Sequence, residues 1–204
     1  MFIFISGTSG SGKSLYAEKR LSEFSCEKKF YIATAKIYDD EMKERVEKHK
    51  AMRKNKGFVT IEREKDLGGL KLPKNSGVLI EALTTWLANE MFSSQDRPLC
   101  QINLTSPLLR GDKSDNLAPL DKGERAMKWR GGLTIIEKIF DDFLKLKEIS
   151  KDIIVVSDDI FSDGIIYDEA TENYIKALAE LSIKFAAIAD EVIECFAGLI
   201  LSYN

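Results

Sequence analysis

The chain is poor in the residues that would place it in several common classes. Its three cysteines, Cys26, Cys100 and Cys195, are odd in number and far apart, with no C-x-x-C pair. That excludes a disulfide framework and a cysteine-rich zinc site, and fits a reducing cytosol. No apolar window approaches the roughly eighteen residues of a membrane span. The opening run Met1 to Ile5 is too short for a signal peptide and is cut off by Ser6-Gly7. Neither sign of charge is in large excess, since 30 Lys+Arg face 33 Asp+Glu for a net charge of −3. Nothing therefore draws the whole chain to nucleic acid or to an anionic membrane, and neither is expected as a partner. There is no internal repeat and no low-complexity tract. The expectation is a soluble, cytoplasmic protein in which any basic site is local.

What is present is a sizeable apolar fraction, 44% of 204 residues, enough for one core and one domain spanning 1–204. Phe2 to Ile5 is continuously apolar, the pattern of a strand buried on both faces of a parallel sheet. After the glycines 7 to 12, Ala17, Leu21 and Phe24 recur at helical spacing. Further strands are predicted at 30–34, 58–62, 78–80 and 153–156. Helices are predicted at about 39–54, 83–92, 124–149 (interrupted at Gly131-Gly132) and 168–189, with closing segments at 192–196 and 199–203. Between 93 and 123 the periodicity disappears, and three of the four prolines, Pro98, Pro107 and Pro119, fall there. This stretch reads as an irregular excursion: a lid, an interaction surface or a disordered segment. Alternating buried strands and amphipathic helices predict an α/β, three-layer fold around a mainly parallel sheet, with its ligand at the carboxyl ends of the strands.

Gly7-Thr8-Ser9-Gly10-Ser11-Gly12-Lys13-Ser14 fits G-x-x-x-x-G-K-[ST] and falls between a predicted strand and a predicted helix. Glycines let the backbone curl so that successive N–H groups face phosphate oxygens, and the helix N-terminus adds its positive field. Lys13 would reach the β- and γ-phosphates, and the Ser14 hydroxyl would ligate Mg²⁺. The fold expected is thus of the P-loop NTPase type. The loop speaks strongly for a nucleotide and says nothing of the reaction.

From Lys43 to Lys56 there are seven basic residues and two acids, a positive patch in an acidic protein. His49, the only histidine, lies beside the apolar stripe of this helix, three residues after Val46. It can be a packing residue on a solvated basic face. It can equally attack phosphorus as a neutral imidazole while Lys50 and Arg53 stabilise the developing charge.

The chain resembles the bifunctional adenosylcobinamide kinase/adenosylcobinamide-phosphate guanylyltransferases of cobalamin biosynthesis. The likeness is carried by GTSGSGKS (Gly7 to Ser14), YIATAKIYDDEMKERVEKHKAMR (Tyr31 to Arg53), VLIEALTTWLAN (Val78 to Asn89) and AAIADEVIECFAGL (Ala186 to Leu199). The resemblance implies that His49 is the histidine guanylylated by GTP. It implies that Lys50, Ala51, Met52 and Arg53 follow it at the nucleotide, and that Thr34, Ala35, Glu62 and Glu81 are further nucleotide-binding positions. Glu81 could accept hydrogen bonds from guanine, or serve as a metal-side or merely strand-terminal acid. The implied chemistry has two steps, phosphorylation of adenosylcobinamide by GTP or ATP with Mg²⁺, then transfer of GMP from GTP through His49. The implied partners are a small-molecule corrinoid and further copies of the chain, in a trimer or other small ring.

Departures cluster late in the chain. Where the family reads S-N-E-V-G after the fourth buried strand, this chain has Ser157-Asp158-Asp159-Ile160-Phe161, and G-I-V-P appears as Gly164-Ile165-Ile166-Tyr167. Two other readings compete: a P-loop small-molecule kinase of another pathway with a structural His49, and a non-catalytic GTP-binding module using 93–123 to hold a partner.

Overall fold

The computed structural model describes residues 1–35, 56–92, 134–161, 165 and 167–203. The expected helix at 39–54, the excursion at 93–123 and the first part of the helix at 124–149 lie outside the described residues.

Seven strands form one sheet in the order β3-β2-β4-β5-β1-β6-β7. They are β1 (Phe2–Gly7), β2 (Lys29–Ala33), β3 (Phe58–Glu62), β4 (Ser76–Glu81), β5 (Ser150–Asp158), β6 (Glu191–Phe196) and β7 (Leu199–Tyr203). Every pairing is parallel except the β6–β7 hairpin. The described helices are α1 (Lys13–Glu23), α2 (Leu83–Met91), α3 (Ile135–Ile149) and α4 (Glu169–Ile188). Strand positions match the expectation, but β4 and β5 extend beyond the apolar cores that mark them in the sequence. Flanking polar residues such as Ser76, Asp152 and Ser157 are buried in the ladder, where hydrogen bonding rather than hydropathy sets the ends.

The period-two alternation of the buried strands divides the core in two. Phe2, Phe4, Val78, Ile80, Ile153 and Val155 face one layer, against Trp86 and Leu87 of α2, Phe143 of α3 and Phe185 of α4. Phe185 meets both Phe2 and Phe143 edge to face there, with Phe143 and Phe185 centroids 4.7 Å apart at 88°, while Phe2 and Phe143 are tilted. Ile3, Ile5, Leu79, Ile154 and Val156 face the other layer, against Ala17 and Leu21 of α1. Thr134 caps α3 with Glu137 closing the capping box, and Asp168 caps α4 through the Thr171 amide at 2.8 Å. No helix among the described residues is long and apolar enough to cross a membrane. The sheet is thus covered on both faces, and its carboxyl edge is left for a ligand.

Candidate active site

The phosphate loop joins β1 to α1 at that carboxyl edge. Gly12 caps α1 in the left-handed region, φ 91°, and supplies no side chain to the first helical N–H groups. Those donors stay open for an anion. Gly7 is required for a different reason. An added Cβ would fall 2.4 Å from the backbone oxygen of Cys195 on β6, so only glycine lets β1 turn into the loop here. The Ser11 hydroxyl is buried and has no hydrogen-bond partner among the described residues, an orphaned donor at the loop that fits an anionic ligand.

Sheet register brings the other groups alongside. Ala33 lies level with Glu62 on one side and Glu81 on the other, while Gly7 lies level with Asp158. The Ser14 hydroxyl donates to Glu81 Oε1, and the Tyr31 hydroxyl donates to Glu81 Oε2, so one carboxylate is held from both sides. Lys13 Nζ donates to the Thr8 carbonyl at 3.1 Å and pairs with Asp158 Oδ1 at 2.6 Å. Asp158 is in turn held through Oδ2 by the Thr84 hydroxyl at 2.8 Å, and the Thr84 carbonyl accepts from Tyr174 at 3.0 Å. Burial, and secondarily the Asp158 charge, pushes the Tyr174 phenol well up, so it remains a donor at any working pH. Burial also raises the Cys195 thiol, with Lys13 opposing in part, and Cys195 stays a thiol rather than a nucleophile.

Of the site residues expected from the sequence, Ser14 and Glu81 are in contact, and Ser11 and Lys13 lie with Ser14 on the phosphate loop. Thr34 has its own bonds: its hydroxyl engages the carbonyls of Glu81 and Ala82 at 3.1 and 3.0 Å, and its carbonyl accepts from Asn89 at 2.7 Å. It ties β2 to the junction of β4 and α2, just before half-buried Ala35. Glu62 is exposed at the end of β3. His49, Lys50, Ala51, Met52 and Arg53 lie outside the described residues. Two residues were missed in the sequence. Tyr31 reads as a core aromatic, and Asp158 reads only as a departure from the family pattern; its signal is an acid closing the strand beside the phosphate-loop strand.

Residues 3–203 match the cobinamide kinase / cobinamide phosphate guanyltransferase family. The chain belongs to this family. Over 95 residues, 45% of this chain and 51% of the relative, it is 38% identical to the bifunctional adenosylcobalamin biosynthesis protein CobU of Escherichia coli (strain K12). Over 96 residues, 46% of this chain and 51% of the relative, it is 34% identical to the protein of the same name from Salmonella typhimurium (strain LT2). The aligned part of the chain thus spans about half the length of the curated relatives it matches. Among solved structures, a prototypical ATPase from the type III secretion system of pathogenic bacteria is similar with a TM-score of 0.44 and 13% identity. That alignment covers 95% of this chain and 50% of the other, a likeness too slight to add to the topology described above. Family membership and the phosphate loop together make this a nucleotide-using fold.

Proposed function

We propose that the chain is a nucleotide-dependent transferase of cobalamin biosynthesis that phosphorylates adenosylcobinamide and transfers GMP from GTP to adenosylcobinamide phosphate. The observation that carries the reading is the phosphate loop, with open α1 donors and Lys13 and Ser14 at its end, in a chain of this family. In the kinase step the acceptor hydroxyl oxygen bonds to the γ-phosphorus as the bond to the β-phosphate oxygen breaks. Lys13 and the loop N–H groups hold the phosphates in line and stabilise the spreading charge. Ser14 and Glu81, adjoining oxygen donors, fit Mg²⁺. That ion, when bound, would supply positive charge to neutralise the phosphates. The Ser14–Glu81 contact supports the metal-side role of Glu81 over hydrogen bonding to guanine.

In the second step His49 attacks the α-phosphorus of GTP, pyrophosphate leaves, and GMP is held as a phosphoramidate until the phosphate of the corrinoid takes it up. Lys50 and Arg53 supply positive charge along the same segment. Thr34, Ala35, Ala51, Met52 and Glu62 complete the nucleotide site by family resemblance. Self-association into a trimer or small ring belongs to the same reading. It is supported by the edge strand β7, where Leu199, Ile200, Leu201 and Tyr203 are all exposed and which pairs only with β6 among the described residues. Free thiols at Cys26 and Cys195 suit a cytoplasmic setting.

The test is incubation with Mg²⁺ and GTP labelled at the α-phosphate. An acid-labile adduct of one GMP is expected, absent in His49→Ala. If wild type gains no such mass, or His49→Ala labels equally, the transferase assignment falls and a P-loop kinase of another pathway becomes the better reading.

A further inference from the structure

Asp158 stands where the resemblance expects a neutral Asn, and its carboxylate lies on the phosphate-loop lysine. We infer that Asp158 is a built-in competitor for Lys13, so that a nucleotide phosphate must displace this carboxylate to gain the ammonium group. This rests on the reading of Gly7 to Ser14 as the nucleotide site.

The geometry is specific. Lys13 is the only basic residue between Gly7 and Ser14, and its side chain is 9% exposed. Of its three ammonium protons, one is directed at the Thr8 carbonyl at 3.1 Å and one at Asp158 Oδ1 at 2.6 Å. Asp158 is not a wandering surface acid. Thr84 fixes its second oxygen at 2.8 Å, Tyr174 fixes Thr84, and the Asp159 amide donates to the Gly7 carbonyl at 2.9 Å. The carboxylate is therefore part of the frame of the loop.

Charge counting gives the sign. Two carboxylates, Asp158 on Lys13 and Glu81 on Ser14, are hydrogen-bonded to a loop whose one cation is Lys13. The sum over these three groups is −1, and a nucleoside triphosphate adds several more negative charges. An oxygen of the triphosphate and Asp158 Oδ1 compete for the same donor at close range. The lysine end of this contact is buried while the Asp158 side chain is 34% exposed, so their mutual repulsion is partly screened by water but acts at contact distance. An amide in place of the carboxylate keeps the Thr84 hydrogen bond, since its oxygen still accepts, and removes the charge. It takes this three-group sum to zero.

The experiment is calorimetric titration of Mg·GTP into wild type, Asp158→Asn, Lys13→Ala and the double variant, with thermal melts as a check on folding. Asp158→Asn is expected to bind roughly five-fold tighter than wild type. The gain should largely vanish in the Lys13→Ala background, because no ammonium is left to compete for. Asp158→Ala provides the same test with neither charge nor amide, and should also bind tighter. Unchanged or weaker binding by both Asp158 variants overturns the inference. So does an undiminished gain in the Lys13→Ala background, which would reduce Asp158 to a general repulsive charge. Failure of the nucleotide-site reading is separate: Mg·GTP would then bind wild type and Lys13→Ala alike.

Discussion

Two lysines, Lys13 and Lys138, each have side chains only 9% exposed, yet they sit in opposite settings. Lys138, on α3, meets Glu90 of α2, Asp66 at 2.7 Å and Asp142 at 3.4 Å. Glu90 Oε1 also accepts from the Asp66 amide at 3.0 Å, so the cluster braces the loop after β3 against α2 and α3. Burial alone would depress the Lys138 ammonium, but Asp66, Glu90 and Asp142 outweigh it and raise its pKa. Lys13 has one carboxylate and one carbonyl, beside the open N–H groups of α1. The difference separates a closed ion cluster from the proposed nucleotide site. Three carboxylates around Lys138 leave nothing for an incoming anion, although Asp66, Glu90 and Asp142 lie close enough to hold a metal ion. Around Lys13, positive field remains to be used.

Removing Lys138 should have the largest effect. Lys138→Met strands the buried acids Glu90 and Asp142 and is expected to cost about 3–5 kcal/mol in urea unfolding at pH 7. The deficit should shrink on acidification, as the Asp142 carboxyl, raised by burial, takes up a proton. Lys13→Ala is expected to change unfolding by less than about 1 kcal/mol while weakening Mg·GTP binding about 30-fold, or about 2 kcal/mol. Equal stability losses for the two lysine variants would erase the distinction. Thr84→Val, which takes the hydroxyl from Asp158, should lower stability by about 1 kcal/mol, read from the same urea curves.

The smallest effect is alkaline. A raised folded-state pKa means that the stability from Lys138 is fully present below the unfolded lysine value of about 10.4. It is lost as pH rises through the higher folded value. Asp142, raised by burial against the pull of Lys138, acts at the acid end, where protonation favours the folded state. Wild type should therefore lose stability relative to Lys138→Met only as pH rises above about 10.4, as measured by paired urea midpoints. Parallel curves would show that the cluster does not titrate as a unit.

Much of this was legible in advance. Phe2 to Ile5 and Ile153 to Val156 announce buried strands because a strand covered on both faces needs continuous apolar residues. Thr134 is the N-cap of α3, two residues after the Gly131-Gly132 interruption that the sequence places in this helical stretch, and the stretch before it lies outside the described residues. The Lys138 cluster was invisible, since Asp66, Glu90, Asp142 and Lys138 are separate charged residues in a chain with many of them. Asp158 was visible as a departure, but its partner was not.

The sequence alone determined the phosphate loop. Its glycines, its lysine and the helix that follows are contiguous, so eight residues carry both the backbone conformation and the aligned peptide dipoles that receive an anion. Only the tertiary structure decided which carboxylates answer it. Glu81 reaches Ser14 across 67 positions of sequence, and Asp158 reaches Lys13 from a later strand. Parallel strands, each returned to the same end by a crossover, bring their carboxyl termini side by side. No local pattern of residues records which strand will lie next to which.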